Sequence, residues 1–180
     1  IDRNWLVYLI LFFVGSILMR SAGCVYNDII DQKIDQKVRR TKFRQIASGK
    51  VSICEAWMLT IFLSLLSLSI LFQFNLKAII FGLSSGILIV LYPFMKRITY
   101  WPQLFLGIVF NWGVILGYLV FNDELNLEII LIYLSAILWT LGYDTIYGLQ
   151  DIYDDIRIGV KSTSIKFKKN IKQFLTIVYM

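Results

Sequence analysis

Three runs of sequence carry no charged residue at all: Ala56–Leu76, Ala78–Met95 and Ile98–Asn122. A helix needs about 20 consecutive apolar residues to cross the hydrocarbon core of a bilayer, and each run is long enough to do so. Two further stretches are broken by one charge each: Trp5–Tyr26 by Arg20, and Ile129–Gln150 by Asp144. Phe174–Met180 reads as the start of another. Backbone polar groups find no water in lipid, so spans of this length must be helices. The prediction is an all-α polytopic membrane helix bundle with five spans and the beginning of a sixth. Trp5, Trp57, Tyr100 and Trp101 fall at span ends, where interfacial aromatics belong. Composition agrees: 58% of residues are hydrophobic and 17% charged, against roughly 45–50% and about 25% in soluble domains.

The basic residues divide by loop parity. Lys33, Lys37, Arg39, Arg40, Lys42, Arg44 and Lys50 lie between the first two spans, and Lys96 and Arg97 between the third and fourth. Arg157, Lys161, Lys166, Lys168, Lys169 and Lys172 follow the fifth. These alternate loops share one side of the membrane. The opposite side has Arg3, Lys77 and the acidic turn Asp123, Glu124 and Glu128. The positive-inside rule makes the basic side cytoplasmic, or matrix-facing in a mitochondrion.

The chemistry open to such a chain is narrow. There is no histidine, which removes His-based acid–base catalysis, Ser-His-Asp triads and His metal sites. Cys24 and Cys54 alone make neither a disulfide framework nor a zinc site. The remaining metal ligands are mostly oxygens, suited to hard cations such as Mg²⁺. No Walker motif or G-x-G-x-x-G loop is present to cradle a phosphate.

Two acidic clusters stand out on the basic side. The first, Asn27-Asp28-Ile29-Ile30-Asp31-Gln32-Lys33-Ile34-Asp35, directly follows the first span. On a continued helix Asp28, Asp31 and Asp35 share one face, and Asn27 lies one turn before Asp31. The second, Asp151-Ile152-Tyr153-Asp154-Asp155, follows the fifth span with the same four-residue spacing between Asp151 and Asp155. Asp144 lies on the same helical face, close to a span, where a carboxylate is costly and functional by default. Stacked carboxylates repel unless a cation relieves them. Mg²⁺ takes one or two carboxylates and completes its shell with water and phosphate oxygens. Two facing clusters therefore suit Mg²⁺ ions that bridge to a diphosphate and neutralise charge on it as it leaves. Arg44, Lys96 and Lys161 are candidate phosphate contacts. Solvated helix ends paired with nearby lysines are the plain alternative for either cluster alone.

These residues form a recognisable set. Asn27-Asp28-x-x-Asp31-x-x-x-Asp35 with Arg40-Thr41 and Arg44 resembles the first motif of the UbiA superfamily of intramembrane aromatic prenyltransferases. Tyr92-x-x-x-Lys96 resembles that family's Tyr-x-x-x-Lys motif. Tyr143-Asp144 through Asp155, then Gly159-Val160-Lys161-Ser162-Thr163, resembles its second aspartate motif. The wording of 92–103 and of the second motif is closest to the 4-hydroxybenzoate polyprenyltransferase branch. Gln45, where the family commonly has Pro, is a departure in the loop.

The resemblance implies a nine-helix fold, of which residues 1–180 would be a single prenyltransferase domain truncated at both ends. It also implies the reaction: Mg²⁺-dependent transfer of a polyprenyl group from polyprenyl diphosphate to the ring of 4-hydroxybenzoate, a step of ubiquinone biosynthesis. By that reading Asp31, Asp35, Asp151 and Asp155 bind the metal, with Asn27, Asp28 and Asp154 in support. Arg44, Lys96 and Lys161 meet phosphate, Tyr92 and Asp144 line the substrate site, and Arg97 holds the benzoate carboxylate.

Other acceptors (a naphthoate, homogentisate or haem) use the same chemistry. A cation transporter would also place acids in spans, though nearer the bilayer midplane. The expected setting is a bacterial inner membrane, or alternatively a mitochondrial one. The lipid bilayer and the two substrates are the expected partners, and nucleic acid is not.

Overall fold

The computed structural model describes residues 5–180, so Arg3, assigned above to the less basic side, lies outside the described residues. Every described element is helical. Helix α1 (Trp5–Asp35) crosses and runs on without a break through the first acidic cluster. At 1.5 Å per residue its 31 residues extend about 46 Å, well beyond the roughly 30 Å hydrocarbon core. Turns then carry the chain to Ser52. Its hydroxyl accepts from the Glu55 amide while the Glu55 carboxylate accepts from the Ser52 amide, a capping box that starts α2 (Ile53–Leu71).

Asn75 caps α3 (Leu76–Leu91) through the Ala78 amide. A 3-10 turn over Tyr92–Phe94, with Pro93 inside it, leads into the short α4 (Met95–Ile98). Pro102 opens α5 (Pro102–Phe110), where its missing N–H costs nothing. Then come α6 (Trp112–Phe121) and α7 (Leu127–Gly148), the latter capped by Asn126. A 3-10 turn over Leu149–Asp151 joins α7 to α8 (Ile152–Ile158), which ends at Gly159 with φ 84°, a left-handed conformation that favours glycine. The chain closes with α9 (Thr163–Lys166) and α10 (Ile171–Tyr179).

Five helical stretches are long and apolar enough to cross a membrane, as the sequence predicts. The fourth differs in form. The uncharged run reads as one helix, yet the structure divides it at Asn111 into α5 and α6. The Asn111 side-chain amide donates to the Gly107 and Ala136 carbonyls and to Thr140 Oγ1, at 2.8, 3.1 and 2.8 Å. A polar side chain bonded to a neighbouring helix satisfies the break inside an apolar environment.

The packing pairs α1 with α2, α5 with α7, and α3 with α6. Gly107 permits the α5–α7 approach: a Cβ there would lie 2.9 Å from the Ile137 carbonyl oxygen. Phe81 and Trp112 stack at 4.5 Å between α3 and α6. The surface of the spans is apolar, with Phe13, Phe62, Ile87 and Leu131 all exposed. The interior holds unusually many polar groups, among them Asp31, Asp35, Gln103, Thr140, Thr145, Thr163 and Ser164. That inversion suits a lipid-facing exterior around a polar site.

The loop parity read from charge is realised in space. Lys77 pairs with Asp123 at 2.8 Å, uniting two of the less basic connections. At the other end Arg39 and Arg40 reach Asp154 and Asp151, and the Lys161 amide donates to the Lys96 carbonyl at 2.7 Å. All three basic connections therefore meet at one pole.

Candidate active site

A cavity of about 190 Å³ opens at that pole. Its walls come from the end of α1, the α1–α2 connection, the α3–α4 turn, the start of α5, and the end of α7 with the segment beyond. Asn27, Asp31 and Asp35 line one side, while Asp144, Asp151 and Asp155 line another. Helical spacing explains each set. Asp31 and Asp35 are one turn apart on an unbroken helix, so both face inward. The 3-10 turn over Leu149–Asp151 changes the winding, yet Asp144, Asp151 and Asp155 still reach the same space.

Each acidic wall is met by basic side chains. Lys96 Nζ stands 2.5 Å from Asp31, a carboxylate only 1% exposed, and Arg97 reaches its other oxygen at 3.3 Å. Arg44 bridges Asp28 at 2.8 Å and Asp35 at 3.1 Å. Arg40 spans the cavity to Asp151: Nε donates to both carboxylate oxygens at 3.1 and 2.9 Å, and a terminal nitrogen to one of them at 2.5 Å. Arg40 also donates to the Tyr147 hydroxyl at 2.9 Å. Hydrogen bonding to Asp151 holds the Arg40 guanidinium above its ordinary pKa. Asp31, Asp35 and Asp151 are thus each paired with a cation that a phosphate could compete for, while Asp144 and Asp155 line the cavity without an ion-pair partner among the described residues.

Most of the residues singled out in the sequence line this one cavity: Asn27, Asp31, Asp35, Arg44, Tyr92, Lys96, Asp144, Asp151, Asp155 and Lys161. Three do not. Asp28 turns to Arg44 on the flank of α1, and Asp154 accepts the Arg39 backbone amide at 3.0 Å. Arg97 donates to the Ile30 carbonyl at 2.8 Å and to Asp31 at 3.3 Å, beside the cavity rather than in its wall. Lys161 lines the cavity while its ammonium donates to the Ile98 carbonyl at 3.0 Å. Sequence reasoning gave no role to Arg40, Tyr147 or Gln103, which line the cavity too. All three fall inside the quoted motifs, and that adjacency was the available signal.

The donor set suits a hard divalent cation. Among the described residues no three acidic or cysteine side chains converge into a closed metal cage. Asp31 with Asp35, and Asp151 with Asp155, instead offer carboxylates in pairs beside open space. Ions that use one or two carboxylates and complete their shell with water and phosphate fit this arrangement. A tetrahedral zinc site does not.

Comparison with known proteins gives a consistent picture. The UbiA prenyltransferase family profile matches residues 2–180. The mitochondrial 4-hydroxybenzoate polyprenyltransferase of Drosophila melanogaster is 48% identical over 170 residues, covering 92% of this chain and 43% of that protein. The Homo sapiens protein of the same name is 45% identical over 167 residues, covering 92% and 45%. This chain therefore spans less than half the length of those relatives. Among solved structures, a UbiA homolog from Aeropyrum pernix K1 aligns with a TM-score of 0.75 and 32% identity, over 85% of this chain and 58% of that one. A UbiA homolog from Archaeoglobus fulgidus bound to GPP and Mg²⁺ shares the fold, with a TM-score of 0.71 and 20% identity over 94% of this chain and 60% of that one.

Proposed function

We infer that this chain, which belongs to the UbiA prenyltransferase family, carries the diphosphate-binding site of an integral membrane enzyme. That enzyme transfers a polyprenyl group from polyprenyl diphosphate to the ring of 4-hydroxybenzoate. One observation carries the reading: two aspartate pairs, on helices far apart in sequence, face a single cavity with basic side chains between them. The names of the relatives supply the acceptor. The excess of Lys and Arg on the connections at that pole supports a site on the cytoplasmic or matrix side.

Asp31, Asp35, Asp151 and Asp155, with Asn27 beside them, would hold Mg²⁺. When bound, that ion supplies Lewis-acid neutralisation of the diphosphate. The chain's own groups do the rest. Lys96, Arg40 and Arg44 already stand at the aspartates and meet phosphate oxygens by a small change of partner. Their charge stabilises the diphosphate as the C–O bond breaks and the electron pair leaves with oxygen. The apolar spans shield the allylic cation from water. A ring carbon beside the phenol then forms the new C–C bond and gives up its proton, restoring aromaticity. Tyr92 and Tyr147 line the cavity, and the Tyr147 ring already carries the Arg40 guanidinium over it at 4.9 Å.

The test uses the full-length protein in native-like membranes, with polyprenyl diphosphate and labelled 4-hydroxybenzoate. Mg²⁺-dependent product is expected, lost with EDTA and in Asp31→Ala and Asp151→Ala. Prenylation of a different aromatic acceptor alone would correct the substrate. Aspartate-dependent cation flux without any prenylation would replace the reading with a transporter.

A further inference from the structure

Gln103 is a large polar side chain only 7% exposed, set in the first turn of α5 beside the cavity. Its Oε1 accepts the Thr163 backbone amide at 3.0 Å and so caps the start of α9. That bond fixes the orientation of the group, because the NH₂ end of an amide cannot accept a hydrogen bond. Nε2 is left with two N–H donors and no acceptor among the described residues. It is not sealed in: among those residues no side-chain polar atom is both fully buried and unpartnered. The open space beside it is the cavity that Gly148, Lys96, Lys161 and Ser162 also line.

The neighbourhood is built to hold the amide still. Gly148 leaves room beside it, since a Cβ at that position would lie 3.6 Å from Gln103 Nε2 and 2.5 Å from Ser164 Oγ. Ser164 is itself fully buried and donates to the Thr145 carbonyl at 2.7 Å. Thr145 and Thr163 share a 2.6 Å hydrogen bond. Gln103 thus stands beside a buried, bonded polar cluster and lines the cavity with its donors unpaired among the described residues. The α5 N-terminus, Lys96 and Lys161 contribute positive charge to a cavity that aspartates also line.

We propose that Gln103 Nε2 donates to a diphosphate oxygen of the prenyl donor, as a neutral substrate-binding group among the cations. This rests on the prenyltransferase reading above and adds a specific contact to it. A rigid amide discriminates by geometry where flexible lysines supply charge. Hydrogen bonds to ionised groups are worth about ten- to a hundredfold in affinity.

The experiment compares wild type, Gln103→Glu and Gln103→Met in the full-length protein, reconstituted in nanodiscs. Gln103→Glu keeps an oxygen for the Thr163 amide and the same volume, but turns the donor into an anion. Binding of inorganic pyrophosphate with Mg²⁺ is measured by calorimetry, and KM is measured for each substrate. The expected result is a wild-type melting temperature for Gln103→Glu, with pyrophosphate affinity at least tenfold lower. KM should rise for polyprenyl diphosphate and stay unchanged for 4-hydroxybenzoate. Gln103→Met should show the same split more weakly. A KM change confined to 4-hydroxybenzoate overturns the proposal, as does unchanged pyrophosphate binding in both variants. Loss of folded protein in both variants also overturns it and leaves Gln103 as the cap of α9. Failure of wild type to bind pyrophosphate at all strikes the functional reading itself, a separate outcome.

Discussion

Arg40→Ala is expected to tighten the binding of Mg²⁺ alone. Arg40 grips Asp151 through Nε and a terminal nitrogen at 2.5–3.1 Å. A metal ion must displace it to use both carboxylate oxygens. Exposed ion pairs contribute about 0–1 kcal/mol, and hydrogen bonds to charged groups about 1.5–3 kcal/mol. Arg40 is 36% exposed and Asp151 14%, so screening moves the pair toward the lower end of the second range, about 1–2 kcal/mol. Removing that competitor should strengthen Mg²⁺ binding roughly 5- to 30-fold. The assay is a Mg²⁺ titration of full-length protein in nanodiscs, with Arg39→Ala as control; Arg39 reaches Asp154 only at 3.9 Å by its side chain. Mg²⁺ affinity unchanged or weaker in Arg40→Ala would refute the idea that Arg40 occupies the metal position of Asp151.

Further outcomes follow from the same structure. Lys96→Met should destabilise the protein by about 1–3 kcal/mol, because it leaves the buried carboxylate of Asp31 with Arg97 alone at 3.3 Å; Asp31→Asn should cost less, since Lys96 keeps partial solvent access. Chemical unfolding of the two variants gives the order. Gly107→Ala should cost about 1–3 kcal/mol through its clash with the Ile137 backbone, while Gly86→Ala, with open space around it, should be neutral or better. Thermal scans of the pair test this. Lys77 holds the Asp123 carboxyl below its usual pKa, so the pair stabilises the fold above about pH 4, and that contribution disappears as pH falls through the lowered value. Both side chains are exposed, so Asp123→Asn should leave the melting temperature at pH 7 within experimental scatter.

What the sequence made legible was local. Uncharged runs marked the spans, and a four-residue spacing put Asp31 with Asp35 and Asp151 with Asp155, because a helix repeats on that scale. Parity of the basic loops put the two clusters at one pole. What stayed hidden required contacts between distant segments. Arg40 reads as one more positive-inside charge until the fold brings it to Asp151. Gln103 reads as one residue of an uncharged run until Thr163 donates to its oxygen. The division at Asn111 is invisible to hydropathy, since asparagine carries no charge and its partners lie on another helix. Arg97, Asp28 and Asp154 stand beside the cavity rather than in its wall, because the neighbour each one meets (Asp31, Arg44 and Arg39 in turn) is set by the fold and not by proximity in sequence.

The unbroken course of α1 has a mechanical meaning. One rigid rod joins residues in contact with lipid to Asp31 and Asp35, with no hinge between them. A tilt of about 10° over about 40 Å displaces the far end of a rod by about 7 Å, about three times a Mg–O bond of about 2.1 Å. Helices adjust tilt when hydrocarbon thickness changes. Any change of tilt in α1 would therefore reach Asp31 and Asp35 undamped, opposed by its packing on α2 and by the ion pairs that Lys96 and Arg44 make with these aspartates.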